Sequence, residues 1–560
     1  MIEILLIFLG SLTWVLTMFK SGLVYPFGMG FWGANGHDAI WHLAVIERLI
    51  KGGFSNPVFA GESLRNYHFG FDILVAFLNK ISLIKTSVLY FQILPIIFSI
   101  LIGYFFYKFI LDWKKSKLYA FFSLFFIYFS GSFGWIVEFL REKKFDGESM
   151  FWSQQSISTL INPPYALSLI FILVGIINLK KYIEEEKLKN LLLSILSFGL
   201  LIQIKSYAGV LVLLSLFTVG LFNFLKSRDL KILKVFTFSL GISLIVFLPF
   251  NRETESFFVF KSFWFLETMV SFSDRFNWQR LYLALEQVKY TGFTLKALFS
   301  YLLAFVIFIV GNFGTRIIAF FQVKEIFKKG KDKYIDIFLL TIAFFGVVIP
   351  TFFIQEGTPW NSIQFFYYSL FVFSMYAGFQ LAKIFEKKKI ANMVSVGIIV
   401  IFTIPTSLST LYFHYLPKRA PAKLSLGEFE ALDFLSKQED GIVLTYPYDQ
   451  EKAKSAEVDP PRPLYLYEST AYVSAFSKKQ VFLEDEVNLE ITGYDWKQRK
   501  EEVLNFYQTL DREEAKEFMK GNNISYVYLV KPQRALLGES QLNLEKIFEN
   551  SEVNIYKIIR

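Results

Sequence analysis

The chain has 560 residues, 54% of them hydrophobic and 19% aromatic, with a mean hydropathy of +0.41. Ordinary soluble domains average below zero, so lipid is the natural solvent for most of this chain. No cysteine occurs, which excludes disulfides, thiolate metal sites and cysteine nucleophiles together. The net charge of +9 is gathered in short loops between apolar runs, which writes membrane topology and speaks against a nucleic-acid partner.

A bilayer core of roughly 30 Å takes about 20 apolar residues in a helix. Eleven such runs stand near 2–19, 87–110, 118–139, 163–179, 190–204, 206–225, 235–250, 297–320, 335–354, 363–383 and 390–412. The first is followed by Lys20 and has no cleavable small-residue site, so it is expected to be a retained span. Stretches 112–117, 180–189, 226–234, 321–334 and 383–389 hold 20 Lys and Arg between them, whereas the alternate loops are long and mixed in charge or lack cations. The positive-inside rule places the dense set in the cytoplasm, the N-terminus inside and residues 413–560 outside. This orientation depends on 190–204 and 206–225 being two spans with a turn at Lys205, since one bent helix would change the side of the C-terminal region.

The first external loop, 20–86, is the most informative. It contains Gly36-His37-Asp38-Ala39-Ile40-Trp41-His42 and runs on to Arg48, and three of the chain's four histidines fall between 37 and 68. Apolar residues at 40, 43, 46 and 50 repeat with helical spacing, which predicts a surface helix starting at Asp38, with His42 one turn later on the same face. Asp38 reads as the N-cap of that helix or as a reactive carboxylate, and the two roles are compatible. The loop ends in Arg65-Asn66-Tyr67-His68-Phe69-Gly70-Phe71-Asp72, and 69–83 is amphipathic enough for a second interfacial helix.

Other external polar groups follow in chain order: Glu138, Arg141, and Asp146 to Glu148 in the second loop, then Asn162 at its end. Next come Lys205 and Tyr207 at the turn of the helix pair, and Trp360, Asn361 and Gln364 between the ninth and tenth runs. An ammonium between two apolar runs is costly unless an anion, such as a phosphate, or a path to the interface keeps it there, so Lys205 is either a ligand contact or a snorkelling lysine. After Pro421 the chain becomes charged and alternating. Strands are expected at 441–448, 523–530 and 553–559, helices at 426–437, 497–520 and 541–549, and a loop at 453–463. The expected architecture is a polytopic α-helical membrane protein of about eleven spans over 1–420, closed by a small extracytoplasmic α/β domain over 421–560.

A cytoplasmic N-terminus, one span, a long external loop whose carboxylate opens a helix (Gly36-His37-Asp38 to Arg48), many further spans and an external C-terminal domain resemble the membrane glycosyltransferases of the C superfold. The resemblance is strongest to the prokaryotic branch related to protein mannosyltransferases and to the aminoarabinose and Rgt-type transferases. It implies a sugar donor on a polyprenyl phosphate, an unknown acceptor that is a glycan, a lipid or a protein, and inversion at the anomeric carbon. Under it Asp38 is the general base, and His37, His42, Arg65, His68, Lys205, Tyr207, Trp360, Asn361 and Gln364 are candidates for the donor phosphate or substrate. Many members place two acids in the first loop, whereas here only one stands at the motif. A second acid is sought in Glu138 or Glu148, and use of a divalent cation is left open. The competing readings are a transporter or flippase for a lipid-linked glycan, which calls for broken helices and inverted repeats, and a noncatalytic anchoring or assembly protein.

Overall fold

The computed structural model describes residues 2–251, 258–292, 294–322, 333–455, 460–531, 533 and 542–559. The cation-rich stretch 321–334 lies largely outside them, as do 456–459 of the expected 453–463 loop. Contacts group the chain into two compact units. One comprises Met1–Thr17, Pro95–Pro249 and Glu255–Leu416, and the other Met18–Leu94, Phe250–Thr254 and Pro417–Arg560.

Among the described residues, eight helices are long and apolar enough to cross a membrane: Thr86–Lys114, Pro163–Glu185, Ser206–Ser227, Lys231–Phe250, Leu295–Gln322, Lys333–Phe352, Pro359–Glu386 and Ile390–Tyr415. The other three expected runs differ. Lys117–Phe129 and Gly134–Glu142 form a pair bent by 43°, and Ile2–Val15 and Leu188–Ile204 are shorter apolar helices. At Lys205 the backbone is extended (φ −155°, ψ 106°). Gly209 then lies so close to Ile202 that an added Cβ would meet its Cα at 2.6 Å, so the chain doubles back there and is not one bent helix.

In the membrane unit, buried polar side chains return their hydrogen bonds to backbone, which lipid cannot do for them. Trp14 Nε1 donates to the Tyr128 carbonyl at 3.0 Å, and Tyr128 OH to that of Ser99 at 2.7 Å. The helices Lys117–Phe129 and Gln364–Glu386 meet where Gly378 faces the Ser123 backbone. A Cβ built on Gly378 would lie 2.3 Å from Ser123 N and Cα, so only glycine permits this approach.

The second unit holds two sheets. A five-stranded sheet has the order Leu544–Glu549, Val553–Ile558, Ile524–Val530, Ile442–Thr445, Gln480–Val481. Its first two pairings are antiparallel and its last two parallel. The helix expected over 541–549 is instead an edge strand. Asn550 Oδ1 accepts from the amides of Glu552 (2.9 Å) and Val553 (2.8 Å), and this turn returns the chain onto Val553–Ile558, so cross-strand pairing overrides local helix preference. The helix expected over 497–520 is broken into Lys497–Gln508 and Arg512–Gly521, because Asp511 caps the second piece through the amides of Glu513 and Glu514. Within 453–463, Gln450–Ser455 ends a short helix and Arg462–Pro463 is a strand.

The second sheet mixes both ends of the sequence, in the order Val24–Tyr25, Gly28–Phe31, Ala422–Leu424, Arg462–Pro463. Gly28 sits at φ +114°, and a Cβ there would fall 2.1 Å from the Leu424 carbonyl oxygen. First-loop residues also pair with the far edge of the larger sheet: Ala60 N donates to the Val481 carbonyl at 3.0 Å and Val481 N to that of Pro57 at 2.9 Å. Loop 18–94 therefore packs with the C-terminal segment as one unit. At the same edge Glu484 is buried, accepting from the amides of Val473 (2.8 Å) and Ser474 (3.1 Å), and burial pushes its carboxyl up from 4.5 to about 8.

Replacing Gly378 by Ala is expected to cost about 1–3 kcal/mol of overpacking, whereas Gly397→Ala, with open space around it, should be neutral or slightly stabilising. Thermal unfolding of the two purified variants checks this. A carboxyl whose folded pKa is raised contributes its full stability below its ordinary value of 4.5 and loses it as pH rises through about 8. The fall in unfolding midpoint between pH 5 and pH 9 should therefore be smaller in Glu484→Gln than in the wild type.

Candidate active site

Ser21 and a short helical turn set the position of Asp38. Ser21 Oγ accepts from the Trp32 amide (3.0 Å) and from Asn35 Nδ2 (3.1 Å), and Trp32 Nε1 donates to the Pro417 carbonyl at 2.8 Å. The turn Gly33–Gly36 follows, and the helix Asp38–Ile50 begins directly after His37. His37, not Asp38, holds the N-cap position, and no side chain caps this helix. Asp38 is the first helical residue, in a turn whose unpaired N–H groups favour an anion, and it is exposed. Among the described residues its carboxylate has no hydrogen bond or ion pair.

The rest of that helix departs from the expected surface helix. Residues 39–47 are buried on every side, since the helix packs against Gly70–Ser82 on one flank and Tyr472–Ser477 on another. His42, one turn after Asp38, is buried and donates through Nδ1 to Asp72 Oδ1 at 2.7 Å. Asp72 is 0% exposed and its second oxygen has no partner. Burial pushes this carboxyl up against the opposing pull of His42. Tyr67 OH lies 3.4 Å from His42 Nε2, and Tyr67 and Tyr90 both feel the charges of Asp38 and Asp72. Asp72 is thus an acid of the first loop that the fold brings to His42. It was present in the sequence as a polar residue in the first turn of the second amphipathic helix, but no spacing rule links it to a histidine 30 residues earlier.

Other expected residues take different places. His37 Nδ1 donates to the Ser469 carbonyl at 3.1 Å and its ring packs edge-on to Tyr467, 4.7 Å between centroids. Arg65 stacks on Tyr494 at 4.7 Å and His68 on Tyr67 at 4.8 Å.

In the membrane unit, Lys205 is buried and its Nζ donates to Asn162 Oδ1 at 3.3 Å, while Asn162 Nδ2 donates to Gln364 Oε1 at 3.2 Å. Tyr207 donates to Gln355 Oε1 at 3.1 Å, and Lys205 lies 5.3 Å from the Tyr207 ring. Lys205, Tyr207 and Gln364 therefore belong to one neighbourhood, in which Asn162 and Gln355 supply the links. Asn361 binds Thr358 instead, and Trp360 is exposed.

Glu148 accepts from Ser158 Oγ and from the Gln155 amide, and burial pushes its carboxyl up. Asp146 pairs with His414 Nε2 at 3.0 Å; burial opposes its charge, but the His414 bond wins and holds it below the usual range. Glu138 has no polar partner among the described residues, and it lies on Gly134–Glu142. Among the described residues no three His, Asp or Glu side chains converge as metal ligands.

Asp72→Ala leaves a buried imidazole unpaired and should cost about 1–3 kcal/mol. Asp38→Ala removes an exposed, unpaired group and should stay within about 0.5 kcal/mol. Thermal unfolding of both variants separates the supporting carboxylate from the free one.

No family model matches the chain, and no curated protein matches it significantly. Solved structures do. The archaeal oligosaccharyltransferase AglB from Archaeoglobus fulgidus, in complex with an inhibitory peptide and a dolichol-phosphate, aligns with a TM-score of 0.52 and 11% identity over 94% of this chain and 69% of that one. The apo form of the Archaeoglobus fulgidus oligosaccharyltransferase gives 0.50 and 11% over the same shares. The chain is a membrane protein by its apolar helices, and over most of its length it shares the fold of these archaeal oligosaccharyltransferases.

Proposed function

We propose that this protein is an extracytoplasmic glycosyltransferase that moves a sugar from a polyprenyl phosphate to an acceptor hydroxyl with inversion. The observation that carries the reading is Asp38: an exposed carboxylate without a partner, on the first turn of a helix otherwise buried and braced, in a fold shared with oligosaccharyltransferases. In the reaction the acceptor O–H proton passes to an Asp38 oxygen. The acceptor oxygen then bonds to the anomeric carbon, and the electron pair of the breaking C–O bond leaves with the lipid phosphate. Asp38 acts as the single base because the phosphate departs as a stable anion and needs cations or hydrogen-bond donors, not a second acid. His42 and Asp72 position the helix that carries it.

Within the membrane unit, Lys205 is the proposed contact for the lipid phosphate. It is a buried ammonium between two apolar runs, where an anion is a favourable neighbour, and it donates to the Asn162 side-chain oxygen. The proposed topology puts the N-terminus in the cytoplasm and the second unit outside, with up to eleven crossings. No step is assigned to a metal ion.

Purified wild type and Asp38→Asn, assayed against a panel of radiolabelled polyprenyl-phosphate sugars in native membrane extract, test the reading. Turnover in the wild type that drops by about 10²–10⁴ in a folded Asp38→Asn supports it. Equal turnover removes Asp38, and no turnover of any donor by the wild type transfers weight to transport or anchoring. Lys205→Met should raise KM for the donor more than it lowers kcat.

A further inference from the structure

We propose that a cleft in the second unit, lined by Tyr446, Tyr448, Tyr465, Tyr467, Thr470 and Asp485, binds the acceptor as an uncharged carbohydrate. The inference rests on the transfer reading above and names the acceptor's chemical class. The cleft takes in about 390 Å³ of space, counting the open solvent at its mouth. Tyrosines form its aromatic walls, and such rings offer flat apolar faces to the C–H faces of a pyranose.

Charge narrows the ligand further. The ionisable side chains of the lining, tyrosines aside, are acids: Glu468, Glu484, Asp485 and Glu486. An anionic acceptor, such as a uronic-acid chain or a phosphorylated one, finds no basic side chain in this lining to pair with. A cationic acceptor gains little, because most of this acidity is already damped. Glu486 is paired with Lys500 at 2.7 Å, and burial pushes Glu484 up to about 8 and Asp485 up to about 7. A protonated carboxyl both donates and accepts, which suits sugar hydroxyls better than ammonium or guanidinium groups. Thr470 supplies an independent sign of a missing ligand. It is 5% exposed, it lines the cleft, and its hydroxyl has no partner among the described residues.

The cleft also touches the residue before the proposed base. The ring of its Tyr467 packs on His37, and Asp485 feels the charge of Asp38. A sugar held between the tyrosines therefore has a hydroxyl-rich edge in the electrostatic neighbourhood of Asp38.

The test uses the full-length protein in nanodiscs and reads binding by saturation-transfer NMR and calorimetry. The probes are short neutral oligosaccharides (gluco-, manno- and N-acetylglucosamine series), size-matched uronic-acid oligomers and a lysine-rich peptide. We expect at least one neutral series to bind, uronic acids to bind at least tenfold more weakly, and Tyr467→Ala and Thr470→Val to weaken binding about tenfold. Tyr467→Phe, which keeps the ring, should retain most of the affinity and guards against loss through misfolding. Binding of no neutral series, tighter binding of the uronic acid or the peptide, or an unchanged affinity in Tyr467→Ala overturns the proposal. Neutral glycan binding by a protein that turns over no lipid-linked donor keeps the cleft and discards the transfer reading.

Discussion

The pairing of Gly28–Phe31 with Ala422–Leu424 is the constraint on which the candidate site depends. It satisfies backbone donors and acceptors that would otherwise be buried without partners, and it draws the start of the first loop and the start of the C-terminal segment into one sheet. Gly28 permits the approach, and Ser21, Trp32 and Pro417 lock its flank. The turn that follows can then deliver Asp38 to the first position of a helix whose remaining faces are packed. A flexible loop would leave the carboxylate to wander; here its backbone is set by two sheets and two neighbouring helices.

Burial sorts Asp38 and Asp72 into different work. Asp72, enclosed and tied to His42, belongs to the scaffold, because a charge in that position is tolerated only with its imidazole partner. Asp38 has none of these ties and keeps its lone pairs available. In the membrane unit Asp146 is matched by His414, and Lys205 donates to the Asn162 side-chain oxygen.

Much of this was legible in the residues. The eleven apolar runs each became a helix or a bent pair, since a hydrophobic stretch of that length is a bulk signal. Both first-loop helices emerged within a residue of their expected starts, at Asp38 and Gly70, because their apolar spacing is local. What could not be read was non-local. The 541–549 segment became a strand through its neighbour across a hairpin, and the burial of 39–47 came from Tyr472–Ser477, more than 400 residues later. The same distance hid the union of loop 18–94 with the C-terminal segment and the partnership of His42 with Asp72. Periodicity reports which face of a helix is apolar, but it is silent on how many other elements will cover it.

The shared sheet also has a consequence in time. The strand at residues 28–31 is synthesised before the eight long apolar helices found among the described residues, and its partner at 422–424 only after them. Until then the edge of Gly28–Phe31 is open and the helix carrying Asp38 lacks both its sheet and its cover from Tyr472–Ser477. A chain whose synthesis has not passed residue 477 therefore lacks the sheet and the helix cover that set the backbone of Asp38.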